Sequence, residues 1–235
     1  VTDWALITGA SRGIGQAAAA RFRKEGWSVL NLSRGESGVP GVVDLRVDLG
    51  SGDWEPRVEA ALREHLGPSP RRVTLVHNAA LYEHDDALAL TAEHLRRVLE
   101  VNLVAPAVLN RLTRPYLREG SSVLYVGSTL SEKAVRNNAT YVTSKHALVG
   151  LMRATCQDLV GTGIHTVCVC PGFTDTELLR EHLGDKPELR ATIASKSTFG
   201  RLITPEEIAH VLYFCATTAT VNGAVLHANL GQVET

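Results

Sequence analysis

An excess of either sign of charge is missing from this 235-residue chain: 24 Lys and Arg face 25 Asp and Glu, for a net charge of −1. Such a balance provides no electrostatic footprint for a polyanion, so neither nucleic acid nor an acidic membrane surface is an expected partner. Long apolar runs are absent too; none reaches the roughly 18 residues of a membrane span. The first strand-like run begins by Trp4, which leaves no room for a signal peptide, and a cytoplasmic protein is expected. Whether a short leader was removed before Val1 stays open, because the chain does not start at methionine. Cysteine is scarce: Cys156, Cys168, Cys170 and Cys215 lack the close paired spacings of a zinc site or a disulfide framework. Cys168 and Cys170 alternate with valines and share one strand face, which predicts core packing. The nine histidines are scattered, with no His-x-x-x-His pair, so no metal is expected.

What is present is a regular alternation. Short apolar runs at 4–8, 28–32, 42–47, 73–76, 123–126, 164–170 and 224–228 are separated by helical patterns near 14–25, 53–66, 91–118, 138–160 and 206–217. That order predicts an α/β fold: a doubly wound, parallel, seven-stranded sheet with helices on both faces, in a single domain over 1–235. Gly26 and Gly67 are placed as helix stops and Thr91 as an N-cap. Two connections stand out. Residues 34–41 are too few for the helix that normally carries a parallel crossover, so a helix is missing there. Residues 173–202 are unusually many, and long connections in compact domains tend to be functional, which predicts a substrate-binding flap.

The run Thr8-Gly9-Ala10-Ser11-Arg12-Gly13-Ile14-Gly15 follows the first strand and opens a helix. Free backbone N–H groups and the helix dipole can hold a pyrophosphate there, and the glycines allow close approach. About 20 residues further on, where an acid would bind the ribose of NAD, the chain has Ser33 and Arg34. With Arg12 in the loop, two guanidiniums suit a 2′-phosphate, which predicts NADP(H) as cofactor.

Tyr141 and Lys145 stand four residues apart in a helical stretch, so both project from one face. An ammonium about 4 Å from a phenol contributes about 4 kcal/mol at an effective dielectric of 20. This predicts a tyrosine pKa lowered by about three units, into the range of a general acid or base.

These motifs together resemble the short-chain dehydrogenase/reductase family, whose fold is Rossmann-like. The markers fall in the family order over essentially the whole chain: the turn at 8–15, Asp48, Asn78-Ala79-Ala80, Asn102, Ser128, Tyr141-x-x-x-Lys145, Pro171-Gly172 and Thr176. The resemblance implies a catalytic set of Asn102, Ser128, Tyr141 and Lys145. Tyr141 would pass the proton, Lys145 would lower its pKa and bind the nicotinamide ribose, Ser128 would hydrogen-bond the substrate oxygen, and Asn102 would hold a water linking Lys145 to solvent. It also implies that Asp48, with Leu49, meets the adenine, and that Asn78, Ala79 and Ala80 border the adenosine. Pro171, Gly172, Thr174 and Thr176 would close over the nicotinamide and phosphates. The family usually has glycine where Ala80 stands, and His77 also departs from its pattern.

The reading that follows is an NADPH-dependent carbonyl reductase acting on a small-molecule ketone. Phe199-Gly200-Arg201-Leu202 and Thr204-Pro205-Glu206-Glu207-Ile208-Ala209 look like a segment common in 3-oxoacyl reductases, although that segment packs a structural helix. Arg136, Arg180, Lys186, Arg190 and Lys196 are basic residues near the expected mouth, without a clear cluster. The shortened 34–41 connection resembles compact relatives that act on ring substrates such as pterins, quinones, steroids or cyclic alcohols. Phe173, Leu178, Leu179, Leu183, Leu189, Ile193 and Phe199 could form an apolar flap for a ring, or simply pack two short helices. A non-catalytic NADP(H)-binding regulator is the alternative from another class. The helices 91–118 and 141–160 resemble the faces through which the family forms homodimers and homotetramers.

Overall fold

Seven strands line up in one sheet: β1 (Trp4–Thr8), β2 (Ser28–Ser33), β3 (Val42–Arg46), β4 (Val73–His77), β5 (Ser122–Val126), β6 (His165–Pro171) and β7 (Val225–Ala228). Their spatial order is β3-β2-β1-β4-β5-β6-β7, and every neighbouring pair is parallel. The computed structural model describes residues 2–68, 70–184 and 186–233, without the side chain of His182. The leader question at Val1 lies outside the described residues, as does residue 185 within the expected flap.

Each strand falls within one residue of its sequence-predicted span, because period-two alternation feeds two separate cores. On one face Ala5, Ile7, Val29 and Val167 pack under α1 (Gly13–Lys24) and α8 (Pro205–Thr217), with Phe22, Ile208 and Leu212 between the layers. On the other, Leu6, Leu30, Leu75 and Val123 meet α2 (Trp54–Leu66), α4 (Ala105–Thr113) and α5 (Ala139–Asp158) through Trp54, Leu62, Leu109 and Met152. Burying each such side chain contributes about 1.5–3 kcal/mol. The doubly wound architecture is therefore as the alternation predicts. Its order reverses between β1 and β4, and in open α/β sheets ligands bind beyond the strand ends at such a reversal.

No helix joins β2 to β3, as the length of 34–41 requires. A buried amide closes the gap instead. Asn31 Nδ2 donates to Asp44 Oδ1 at 2.8 Å and to the Gly35 carbonyl at 3.1 Å, and the Ser37 N–H donates to the same Asp44 oxygen at 2.9 Å.

The helix expected over 91–118 is not continuous. Thr91 caps α3 (Ala92–Leu99) by accepting from the His94 N–H, but residues 100–104 form a wider π turn before α4, and a 3₁₀ turn (Arg114–Tyr116) follows. Pro106 supplies the reason: it has no N–H for the carbonyl of Asn102, so the α register cannot run through. Residues 173–202 hold two short helices, α6 (Glu177–Leu183) and α7 (Pro187–Ala194). The segment that looked like 3-oxoacyl reductases caps α8: Thr204 and Glu207 form a reciprocal capping box, and Arg201 grips Glu207 with two bonds of 2.6 and 2.8 Å.

Candidate active site

The turn after β1 shows why glycine is needed. Gly9 and Gly13 have φ of +71° and +56°, in the left-handed region, and a Cβ on Gly15 would stand 2.3 Å from the Gly9 carbonyl oxygen. Asn78 welds this turn to β4 by donating to the carbonyls of Thr8 and Gly9 at 2.9 and 3.1 Å. The Thr8 hydroxyl in turn accepts the N–H groups of Asn78 and Ala79. From the β2 side, Asn31 Oδ1 accepts the Ala10 N–H at 3.0 Å. The loop is thus fixed from both neighbouring strands before any ligand binds, which is the preorganisation a phosphate cradle requires.

A cavity of about 1000 Å³ extends from this turn along the carboxyl ends of the strands. It is lined by Gly9, Ser11, Arg12, Gly13 and Ile14, by Ser33 and Arg34 at the end of β2, by Asp48 and Leu49 after β3, and by Asn78, Ala79 and Ala80 after β4. Pro171, Gly172, Thr174 and Thr176 line it from the end of β6, and Ser128, Tyr141 and Lys145 line it beyond β5 and on α5. Two expected site residues are not among the lining groups. Gly15 packs beneath the turn, where only a hydrogen fits. Asn102 has both amide hydrogens engaged, by the Leu81 carbonyl at 2.9 Å and Ser144 Oγ at 3.0 Å, while its oxygen accepts the Leu81 N–H at 2.7 Å. Its amide clamps the 81 loop to α5.

These residues fit a dinucleotide. The glycine cradle meets a helix N-terminus, the cavity is long enough to cross the sheet reversal, and basic side chains gather at the adenosine end. Arg34 faces the cavity, and Arg12 is ion-paired with Glu181 of α6, with both side chains about half exposed. Thr176 caps α6 and its methyl sits against Gly13, so the 173–202 segment touches the phosphate turn. Asp48 Oδ1 accepts the Gly50 N–H at 2.9 Å, which orients the carboxylate after β3.

At the other end, α5 brings Tyr141 and Lys145 to one face as their spacing predicts, with Nζ 5.4 Å from the phenol ring centre. The expected electrostatics do not hold. Burial pushes Tyr141 up to about 12, and the Ser128 hydroxyl draws it back only in part. Lys145 is 3% exposed, its Nζ donates to the Val126 carbonyl at 2.7 Å, and burial pushes it down to about 8. The attraction of the ammonium for a phenolate is outweighed here by the desolvation of both groups, which the spacing of the two residues does not reveal. Ser128 itself follows β5 and caps a 3₁₀ turn, its hydroxyl accepting the Leu130 N–H at 3.1 Å.

Beneath Ser128, Cys168 and Cys170 are fully buried as expected, with sulfurs 3.9 Å apart. A Cβ on Gly127 would stand 2.8 Å from each. No pattern along the chain signals this approach to the candidate site, because strand alternation marks a face and not its neighbours. Tyr82 was also missed. It lines the cavity and packs edge-on against Tyr141, 4.7 Å between ring centres at 85°. It lies in an aperiodic loop, where no pattern signals a role.

Of the flap candidates, Phe173, Leu178, Leu179, Leu183, Leu189 and Ile193 line the cavity, whereas Phe199 is 69% exposed outside it. Arg180 and Arg190 both close on Asp175, at 2.9 and 2.5 Å, and hold its carboxyl down at about 2. No His, Cys, Asp and Glu cluster suited to a metal occurs among the described residues, and no helix among them is long and apolar enough to cross a membrane.

Comparison with known proteins places this geometry. The family described as Enoyl-(Acyl carrier protein) reductase matches residues 9–232. The 3-oxoacyl-(acyl-carrier-protein) reductase MabA of Mycobacterium bovis is 30% identical over 97% of this chain and 91% of its own length. Among solved structures, the aldohexose dehydrogenase of Thermoplasma acidophilum superposes with a TM-score of 0.89 at 26% identity, covering 98% of this chain and 93% of its own. An actinorhodin polyketide ketoreductase, solved with NADPH, superposes at 0.85 with 28% identity, covering 98% and 97%.

Proposed function

Since the chain belongs to the short-chain dehydrogenase/reductase family, we infer that it is an NADPH-dependent reductase converting a ketone to a secondary alcohol, with Tyr141 as proton donor. The observation that carries this reading is the convergence of Ser128, Tyr141 and Lys145 at one end of a cavity whose other end is a glycine cradle beside Arg12 and Arg34. The ketoreductase solved with NADPH and the reductase MabA support the same reaction class.

NADPH, when bound, would supply a hydride for the carbonyl carbon. The chain's own groups do the rest. Ser128 Oγ, held by its cap to Leu130, is placed to donate to the carbonyl oxygen as charge develops there, when a fixed donor helps most. Tyr141, with its pKa near 12, stays protonated at neutral pH and has a proton to give. Lys145, with its pKa near 8, carries a charge at neutral pH that favours the phenolate left behind. Gly9, Ser11, Gly13 and Ile14 would receive the pyrophosphate, Ser33, Arg34 and Arg12 the 2′-phosphate, and Asp48 and Leu49 the adenine. Pro171, Gly172, Thr174 and Thr176 would border the nicotinamide and phosphates.

The substrate end favours an apolar, ring-bearing ketone over a carrier-bound acyl chain. Tyr82 packs on Tyr141, Leu183, Leu189 and Ile193 line the same cavity, and the arginines Arg180 and Arg190 pair with Asp175 instead of forming a basic docking patch. We assign 173–202 the role of flap over this end, and a homodimer or homotetramer as the working assembly. A purely regulatory NADP(H)-binding role has no use for the convergent hydroxyls.

Loss of NADPH absorbance with ethyl acetoacetate, cyclohexanone and a fused-ring ketone tests the reading. Tyr141→Phe should cut kcat by about 10²–10⁴-fold while leaving NADPH affinity within about twofold. Tight NADPH binding with no turnover of any ketone would favour the regulator.

A further inference from the structure

The start of the catalytic helix is held from outside. The residue before α5, Asn138, makes no side-chain cap bond and spends its Nδ2 on the Arg136 carbonyl at 2.8 Å, so the first N–H groups of this 20-residue helix need another acceptor. Asp85 provides one across 55 positions of sequence. Its Oδ1 and Oδ2 accept the Thr140 N–H at 3.1 and 3.3 Å, the Thr140 hydroxyl donates to Oδ2, and the Ala139 N–H adds a further bond. The carboxylate is itself fixed: the Asp85 N–H donates to the Asn137 carbonyl at 3.1 Å, and His94 Nε2 lies 3.2 Å from Oδ2. Although burial works against the charge, these bonds hold the Asp85 carboxyl below its ordinary range. A carboxylate is also the favoured charge at a helix N-terminus.

The same loop is stapled to α5 a second time. Asn102 joins both backbone groups of Leu81 to Ser144, whose hydroxyl donates to the Tyr141 carbonyl at 2.8 Å. Between the two staples the Tyr82 ring packs edge-on against Tyr141. The geometry points to Asp85 as a positioning residue for Tyr141, fixing the register of the first turn of α5 so that the phenol meets Ser128 and the substrate oxygen. This rests on the reading of Tyr141 as proton donor.

Steady-state kinetics on the ketone turned over fastest, together with NADPH titration by fluorescence, separate the two. Asp85→Ala should lower kcat by about 10- to 100-fold, as small misplacements of a reacting group do, with NADPH affinity unchanged within about twofold. Asp85→Asn, which keeps an acceptor for the Thr140 N–H, should recover most of the loss. Unchanged kcat in Asp85→Ala, or kcat and NADPH affinity falling in proportion, overturns the inference. Should Asp85→Ala fail to fold, Thr140→Val and Thr140→Ser carry the comparison: a low kcat in the first restored in the second supports the inference, and equal kcat in both removes it. Activity retained in Tyr141→Phe removes the parent reading instead, whatever Asp85 does.

Discussion

Two parts of the cavity wall are built by different means. At the cofactor end the backbone is locked by two amides, half-buried Asn78 on the carbonyls of Thr8 and Gly9 and buried Asn31 on the Ala10 N–H and Asp44. The 173–202 segment is tied by more exposed ion pairs instead, Glu181 with Arg12 of the turn and Asp175 with Arg180 and Arg190. Buried hydrogen bonds cost the full desolvation of a partner when broken, whereas exposed ion pairs contribute about 1 kcal/mol or less. The difference teaches where rigidity lies: the turn is preformed, and the weakly tied segment is the one that would open for a substrate if 173–202 acts as the proposed flap.

The comparison breaks hardest at Gly15. A methyl there meets the Gly9 carbonyl oxygen and Asn78 Nδ2, both held by neighbouring strands, so Gly15→Ala should destabilise the fold by about 3 kcal/mol. Urea denaturation measures it, and an unchanged midpoint would show that the turn yields. Nearly as large is the acid response of His77, the last residue of β4, buried against Asn110 and Tyr125. Its Nδ1 is without a partner among the described residues, Nε2 meets Asn110 at 2.8 Å, and burial lowers its pKa from 6.5 to about 4. Below pH 6.5 the unfolded chain takes up a proton that the folded one refuses, so stability should fall between pH 6.5 and about 4, by up to about 3 kcal/mol. His77→Asn should flatten that slope in pH-dependent denaturation; an unaltered slope would place the acid lability elsewhere.

Next comes Arg34. Charge-assisted bonds to phosphate contribute about 1.5–3 kcal/mol, so Arg34→Ala should weaken NADPH by about 10- to 100-fold and NADH little. Equal losses in fluorescence titrations of the two would contradict the specificity. The smallest change belongs to the flap. Glu181→Gln releases Arg12 and should alter NADPH affinity by about fivefold or less; a larger shift would make the flap pair part of the rigid end. The proton balance gives a further check. Alcohol oxidation should rise with pH through the neutral range, because Tyr141 must first lose its proton, while ketone reduction should not. Parallel profiles would be at odds with Tyr141.

The strands and the glycine turn were legible because each depends on a local rule, alternation or a backbone angle. So was the pairing of Tyr141 with Lys145 on one helix face. The expectation for Tyr141 itself missed because burial is a property of what packs around a residue, and Cys168, Cys170 and Tyr82 reach that neighbourhood from distant segments. The break near Asn102 could have been read from Pro106, which the helical periodicity of 91–118 overrode. Asp85 had no signature at all, since a cap supplied across 55 positions leaves no pattern along the chain.

The trimmed β2–β3 connection has one more effect, on association between molecules. The sheet order makes β3 the outermost ribbon, and with no crossover helix laid over it Val42, Val43 and Leu45 are only partly covered; an open sheet margin invites strand addition by another chain. Pro40 immediately upstream and the exposed side chains of Asp44 and Arg46 guard that rim, so the helix can be dispensed with without turning the molecule into a template for polymerisation.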